Sequence, residues 1–308
     1  MPDSTTVVVR VPATSANLGP GFDSLGLALG LYDEVTAALS GESTQVEVTG
    51  EGEGELDLGD GHLVVRAMRA AFGRMGVEQP PGVRLRCHNR IPHARGLGSS
   101  SAAICAGLLA ARALAGDASG AAAFPDEEVF ALATELEGHP DNVAPCLAGG
   151  LTIAWSDQEG IARMVKLTPH AAIRPVAFIP AHRLSTDVAR GYLPKDVPHA
   201  DASANAGRAA LLVAAMTTRP ETPVLLAATE DRLHQRYRAP AMPQTASLVK
   251  RLRAIGVPAV VSGAGPTILA FPTPEAQDSI ASEVGIDWHI QPLDVDTDGA
   301  RVQFPETR

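Results

Sequence analysis

Residues 95 to 101 read Arg95, Gly96, Leu97, Gly98, Ser99, Ser100, Ser101, and this stretch restricts the fold more than any other. Before it, Val83 to His88 alternates apolar and polar residues, which predicts a strand; after it, Ser101 to about Leu114 is apolar and predicts a helix. Two glycines let the backbone turn tightly and approach a ligand. The free amides and positive dipole end of the helix that follows attract an anion, and a phosphate suits such a site. Hydroxyls of Ser99 and Ser100 can add donors or reach a phosphate-bound Mg²⁺. The stretch is neither of two common lookalikes. A P-loop needs Lys after its last glycine, and a dinucleotide fingerprint needs a third glycine where Ser101 stands. A serine-capped helix behind a glycine turn explains the same residues, so this motif alone leaves both readings open.

Charge narrows the partners. With 25 basic and 35 acidic residues the formal charge is −10, so no global positive field exists to hold nucleic acid or an anionic membrane. The longest apolar run, Ala102 to Ala111, stops at Arg112, short of the roughly 18 residues a span requires. No basic segment leads into an apolar one at the N-terminus, as a signal peptide would show. Cys87, Cys105 and Cys146 are odd in number and widely spaced, which fits small core residues in a reduced, cytoplasmic protein.

Along the chain, strands and helices mix without the strict alternation of a doubly wound sheet, so an α+β class is expected. Thr5 to Val11 predicts a strand, and Pro12 to Asp23 a long loop of small and turn-forming residues. Leu25 to Leu39 is apolar with turns interspersed, and Gln45 to Thr49 alternates as a strand does. The acidic stretch Glu42 to Asp60 reads as a solvated hairpin tip. Helices are predicted at Leu63–Met75, closed by Gly76, and at Asp126–Glu137, stopped by Gly138. Leu151 to Trp155, Ile161 to Leu167 and Ile173 to Ile179 read as strands. Helical stretches follow near residues 185–192, 202–216, 223–233 and 244–255. Ala259–Ser262 and Thr267–Phe271 then form a strand pair around a glycine turn, followed by a helix at Glu275–Val284 and a strand near Trp288–Val295. Length suggests two domains or one large one, and the division expected is residues 1–160 and 161–308.

Arg84, Arg86, Arg90 and Arg95 cluster before the glycine loop and either draw polyphosphate there or form the exposed side of an edge strand. Downstream, Glu137, Gly138, His139, Pro140, Asp141, Asn142 place two carboxylates close together at a helix end and in the next loop. Such a pair can bind Mg²⁺ and orient a hydroxyl, which is most of what phosphoryl transfer asks of a protein. Equally, Glu137 can be a solvated helix-end residue and Asp141 a turn former.

Three segments together resemble the GHMP family of small-molecule kinases: Pro12 to Asp23 (PATSANLGPGFD), Pro92 to Ala103 (PHARGLGSSSAA) and Ser262 to Thr267 (SGAGPT). They occur in the family's order. The first segment, with Glu135 to Pro145 (ELEGHPDNVAP), is similar to the branch of that family that phosphorylates L-homoserine. The resemblance implies a ribosomal protein S5 domain 2-like N-terminal domain and a ferredoxin-like C-terminal domain with the site between them. It implies ATP-dependent phosphorylation of the side-chain hydroxyl of L-homoserine, on the route to threonine, with Mg²⁺. A homodimer is expected because relatives often form one.

By position, the resemblance assigns Pro92, Arg95, Gly96, Leu97, Gly98, Ser99, Ser100 and Ser101 to the ATP phosphates, and Ser99 or Ser100 with Glu137 to the metal. The short loop after the third helix leaves Glu135 as a second candidate ligand; Glu137, nearer the loop, is chosen. His62 stands where many members carry Asn against adenine. The amino-acid substrate needs arginines for its carboxylate, matched by Thr186 with Arg190 and by Tyr237 with Arg238. Asn17, Asp23 and Asp141 match the family's substrate contacts, joined by His139 and Gly263. Asp141 and Asn142 are the expected catalytic residues; Asp141 orients the substrate, and whether it also takes the proton stays open, since a loose transition state needs little early proton abstraction. A kinase for another small alcohol such as mevalonate, or a sensor that binds without turnover, are the alternatives.

Overall fold

In the computed structural model, residues 6–116, 124–273, 280 and 283–304 are described. The β-branched run near the start forms strand β1 (Thr6–Ala16), paired antiparallel with β2 (Leu25–Ser40) along its whole length. β1 therefore runs through half of the segment expected to be a loop. Pro12 has no N–H to give a ladder, and the register shifts at that point: Pro12 faces Tyr32 while Ala13 faces Leu29. The two β2 residues skipped there are used elsewhere, and Gly30 N–H donates to the Asp294 carbonyl at 2.8 Å.

The acidic stretch is not a hairpin tip. Its strand β3 (Gln45–Gly50) pairs parallel with β4 (Gly82–Asn89) across helix α1 (Leu63–Met75), whose C-cap Gly76 sits in the left-handed region as predicted. Arg84, Arg86 and His88 lie on the exposed side of β4, an internal strand, and Arg86 pairs with Glu47 at 3.1 Å. Helix α2 (Ser99–Ala115) buries a side that is apolar apart from Ser101, packed on α1 and beside α3 (Asp126–Glu137). A short helix missing from the sequence reading, α4 (Val143–Ala148), leads into β5 (Leu151–Ser156) and β6 (Ala162–Leu167). The first sheet runs β11-β1-β2-β4-β3, with β5 joined to β2 and β6 to β5; β11 (Arg301–Gln303) comes from the far end of the chain.

The second sheet is antiparallel, in the order β10-β7-β9-β8, from Trp288–Pro292, Val176–Pro180, Ile268–Ala270 and Ala259–Val261 respectively. Around it lie α5 (Thr186–Arg190), α6 (His199–Thr217), α7 (Thr222–Ala228), α8 (Gln235–Arg238) and α9 (Pro243–Ala254). The α+β class holds. The sheets do not part at residue 160: β6 and β11 lie past it and are hydrogen-bonded into the first sheet. The helix expected over residues 275–284 falls largely outside the described residues. Among the described residues no helix is long and apolar enough to cross a membrane.

Candidate active site

The three segments that are far apart in sequence meet in space. Gly263 N–H donates to the Ala16 carbonyl at 3.1 Å, Ser262 Oγ donates to the Gly96 carbonyl at 2.6 Å, and Thr267 N–H reaches the Arg95 carbonyl at 3.3 Å. The tip of the β8–β9 turn is thereby fastened to the end of β1 and to the glycine loop. The loop after β1 is held in an unusual backbone shape, with Asn17, Leu18 and Asp23 all at positive φ. Non-glycine residues adopt that region at a cost of roughly 1–2 kcal/mol each. It is retained because Leu18 is fully buried, Asn17 Nδ2 donates to the Gly263 carbonyl at 2.9 Å, and Asn17 Oδ1 accepts from Asp23 N–H at 2.9 Å.

Two cavities meet at the start of α2. The first, of about 280 Å³, is lined by Asn17, Gly96 to Ser100, Glu137, His139, Asp141, Asn142, Thr186, Arg190, Arg238 and Gly263, among others. The second, of about 270 Å³, holds His62, Asp33, Asn89 and His93 between apolar walls and shares Ser99 and Ser100 with the first. The first intrahelical bond of α2 runs from Ala102 N–H to the Gly98 carbonyl, so the amides before it are not used by the helix. They stand where the cavities join.

Gly98 has φ +74°, and a Cβ there would lie 2.0 Å from Thr14 Oγ1, which itself donates to Asn142 Oδ1 at 2.8 Å. Gly98→Ala combines a left-handed strain with a clash against this pair. We expect a loss of about 2–4 kcal/mol, seen as a drop in Tm of about 5–10 °C together with at least tenfold weaker ATP binding by calorimetry. Unchanged ATP affinity would show that the loop does not hold the nucleotide.

Glu137 ends α3, and its Oε1 accepts from Ser100 Oγ at 2.6 Å. Glu135 points elsewhere, pairing with Arg74 at 2.6 Å on the surface. Among the described residues no three acidic, His or Cys groups cluster around one point, so a cation here would take hard oxygen donors from Glu137, Ser100 and phosphate. Those donors suit a divalent metal. Asp141 is 2% exposed, with His139 Nδ1 3.3 Å from its Oδ1 but not aligned as a hydrogen bond. The nearby carboxylate raises the His139 pKa above its usual value against the effect of burial.

Arg190 makes a two-point pair with Asp23, at 2.7 and 3.2 Å. Arg238 is different: it is 1% exposed, and no carboxylate lies within ion-pair distance among the described residues. Its Nη1 reaches His234 Nδ1 at 3.1 Å and the Gly263 carbonyl at 3.4 Å, and its Nε has no partner. His234 was not read as a site residue, nor was Phe22, which stacks on it at 5.2 Å and lies between the two arginines. His234 Nε2 is 2.8 Å from the Gly19 carbonyl, which only accepts, so Nε2 carries the proton and Nδ1 offers its lone pair to Arg238. Burial lowers the His234 pKa and keeps the ring neutral.

Three expected phosphate contacts lie elsewhere. Arg95 spends its guanidinium on the carbonyls of Pro180, Ala181 and His93, at 3.0, 2.8 and 3.3 Å, and tethers the loop to the end of β7. It and Pro92 line a separate depression beside Trp288. Ser101 turns its hydroxyl inward, fully buried and without a partner.

Residues 62–150 match the model for the GHMP kinases N terminal domain, and residues 213–290 that for GHMP kinases C terminal. A homoserine kinase of Streptomyces coelicolor is 54% identical, covering 97% of this chain and 95% of its own length. One from Clavibacter michiganensis is 49% identical, covering 96% and 94%. The crystal structure of homoserine kinase from Cytophaga hutchinsonii superposes with a TM-score of 0.82 at 27% identity, over 98% of this chain and 99% of that one.

Proposed function

The chain belongs to the homoserine kinases of the GHMP kinase family, and from that premise we propose how its own residues divide the work. The enzyme transfers the γ-phosphoryl group of ATP to the side-chain hydroxyl of L-homoserine. ATP lies across the start of α2, with its base in the His62 cavity and its phosphates on the unused amides around Gly98 to Ser100. His62 is 5% exposed with neither ring nitrogen partnered, which suits it to a base edge. Burial holds its pKa down, so it acts as a neutral donor and acceptor.

Glu137 and Ser100 would hold the divalent metal, Mg²⁺ in this reading; when bound, it draws charge from the phosphate oxygens. The observation that carries the substrate class is Arg238, a buried cation without a carboxylate that lines the same cavity as the glycine loop. It takes the α-carboxylate of the amino acid, and Asp23 with Asn17 takes the ammonium, loosening the Asp23–Arg190 pair so that Arg190 can join the carboxylate. Thr186 and His139 line the same cavity. Asp141 orients the side-chain hydroxyl toward the γ-phosphorus. The new P–O bond forms as the bond to the ADP oxygen breaks, and the hydroxyl proton leaves late to Asp141 or to water. Asn142, fixed by Thr14, holds the loop that carries Asp141.

Residues 1–160 carry most of the ATP contacts and 161–308 contribute the arginines and Gly263 to the substrate side. Buried free Cys87, Cys105 and Cys146 suit a reducing cytoplasm. We take a homodimer as the assembly.

ADP release measured with MgATP and L-homoserine, L-serine, L-threonine or mevalonate, followed by phosphorus NMR, tests the assignment. Turnover is expected with L-homoserine, giving a phosphate monoester on the side-chain oxygen. Preference for mevalonate would keep the family and overturn the substrate.

A further inference from the structure

The His62 cavity contains a second buried polar group that the mechanism above does not use. Asp33 lies on β2 and is 6% exposed, an acid on a strand that is otherwise largely apolar where it crosses the core. Its Oδ1 accepts from the amides of Arg90 and Ile91, at 2.6 and 2.9 Å. Oδ2 has no hydrogen-bond partner among the described residues, and the side chain lines the cavity together with Val11, Val35, Leu63, Val64 and Ala102. Apolar side chains with a carboxylate among them form a slot for a flat ring that bears a hydrogen-bond donor. Burial lifts the Asp33 pKa to about 6, so the group is ionised at neutral pH but poorly solvated. A buried anion of this kind gains from a donor and is penalised by a facing oxygen.

We propose that Asp33 reads the base of the nucleotide: its free oxygen accepts a hydrogen bond from the 6-amino group of adenine and disfavours 6-oxo purines. His62, on the same cavity, supplies one donor and one acceptor for the ring nitrogens. The inference rests on the placement of ATP across the start of α2. It adds to that placement a reason for the choice of base. Asp33 makes no hydrogen bond to Ser100 or Glu137, so its effect falls on nucleotide selection rather than on phosphoryl transfer.

The test compares kcat/KM for ATP and for inosine 5′-triphosphate, with saturating L-homoserine, in the wild type and in Asp33→Asn. Asparagine keeps an oxygen for the Arg90 and Ile91 amides and can offer an N–H to a 6-oxo group. The wild type is expected to favour ATP by about 100-fold, and Asp33→Asn to narrow the ratio at least tenfold. A ratio unchanged by the substitution would overturn the inference and leave Asp33 as a holder of the turn after β4. A readout on the wild type alone covers the case in which the variant fails to fold. Purine riboside triphosphate, with hydrogen at C6, is expected to compete about tenfold more weakly than ATP, and inosine triphosphate more weakly still. Equal competition by all three would equally overturn it. His62→Ala separates the two layers: a raised KM for ATP keeps the base in this cavity, whereas an unchanged KM would remove it and the Asp33 assignment with it.

Discussion

Glu137→Gln is expected to lower kcat for L-homoserine phosphorylation by about 100- to 1,000-fold, with a higher requirement for Mg²⁺ and little change in metal-free ATP binding. The physical basis is local. A hard cation bridging phosphate oxygens needs an anionic oxygen from the protein, and Glu137 is the acidic side chain that meets Ser100 at the mouth of the glycine loop. Glutamine retains the shape and the bond to Ser100 Oγ but not the charge. The paired control is Glu135→Gln, which removes only an exposed pair with Arg74 and is expected to leave kcat within about twofold, since such pairs contribute under about 1 kcal/mol. Steady-state kinetics over a Mg²⁺ titration decides. Equal losses in the two variants would show a shared structural effect at the end of α3, and a loss confined to Glu135→Gln would reverse the choice of ligand.

From the sequence that choice rests only on nearness to the loop, because Glu135 and Glu137 differ by two positions on a helix and so face opposite sides of it. Which side faces the cleft depends on how α3 sits against α2. The same limit explains Arg95. Its position in the motif is right, but the direction of its side chain is set by the carbonyls at the end of β7, which lie 85 and 86 residues away. Segments whose chemistry is local were legible: the glycine loop, Gly76 and Gly138 as helix stops, and the SGAG turn. Segments decided by distant pairing were not. β11 is three residues long and exists because β1 offers an edge, and the bulge at Pro12 turns half of an apparent loop into strand. α4 was hidden by Pro145, which is tolerated because it falls in the first turn. Phe22 lies within the Pro12 to Asp23 segment but its contact is not legible there, and His234 carries no motif signal; their pairing appears only where α8 packs against the loop after β1.

Arg238→Met is expected to raise the KM for L-homoserine by at least about 100-fold and to leave the KM for ATP within a few-fold, with the unliganded protein as stable as the wild type or more so. The two halves of this result have one cause. Arg238 is held out of water with a neutral imidazole, one long carbonyl contact and an unpartnered Nε, so burial and the nearby Arg190 push its pKa down. A buried cation without a counter-ion opposes folding. Methionine of similar length removes that opposition at the cost of two hydrogen bonds, to His234 and Gly263. If Arg238 takes the substrate carboxylate as proposed, the missing anion arrives with the substrate, and L-homoserine should raise Tm in the wild type and much less in Arg238→Met. Replacement by lysine should not rescue KM, because a point charge lacks the two-pronged fit to a carboxylate and the geometry that His234 imposes on the fork. On the proposed role the arrangement exchanges stability for recognition: the ring of His234, neutral and with its lone pair on Nδ1, holds the guanidinium in place without neutralising it. A Tm for Arg238→Met well below that of the wild type, with the KM for L-homoserine unchanged, would mean that Arg238 is a structural cation and that the carboxylate binds Arg190 alone.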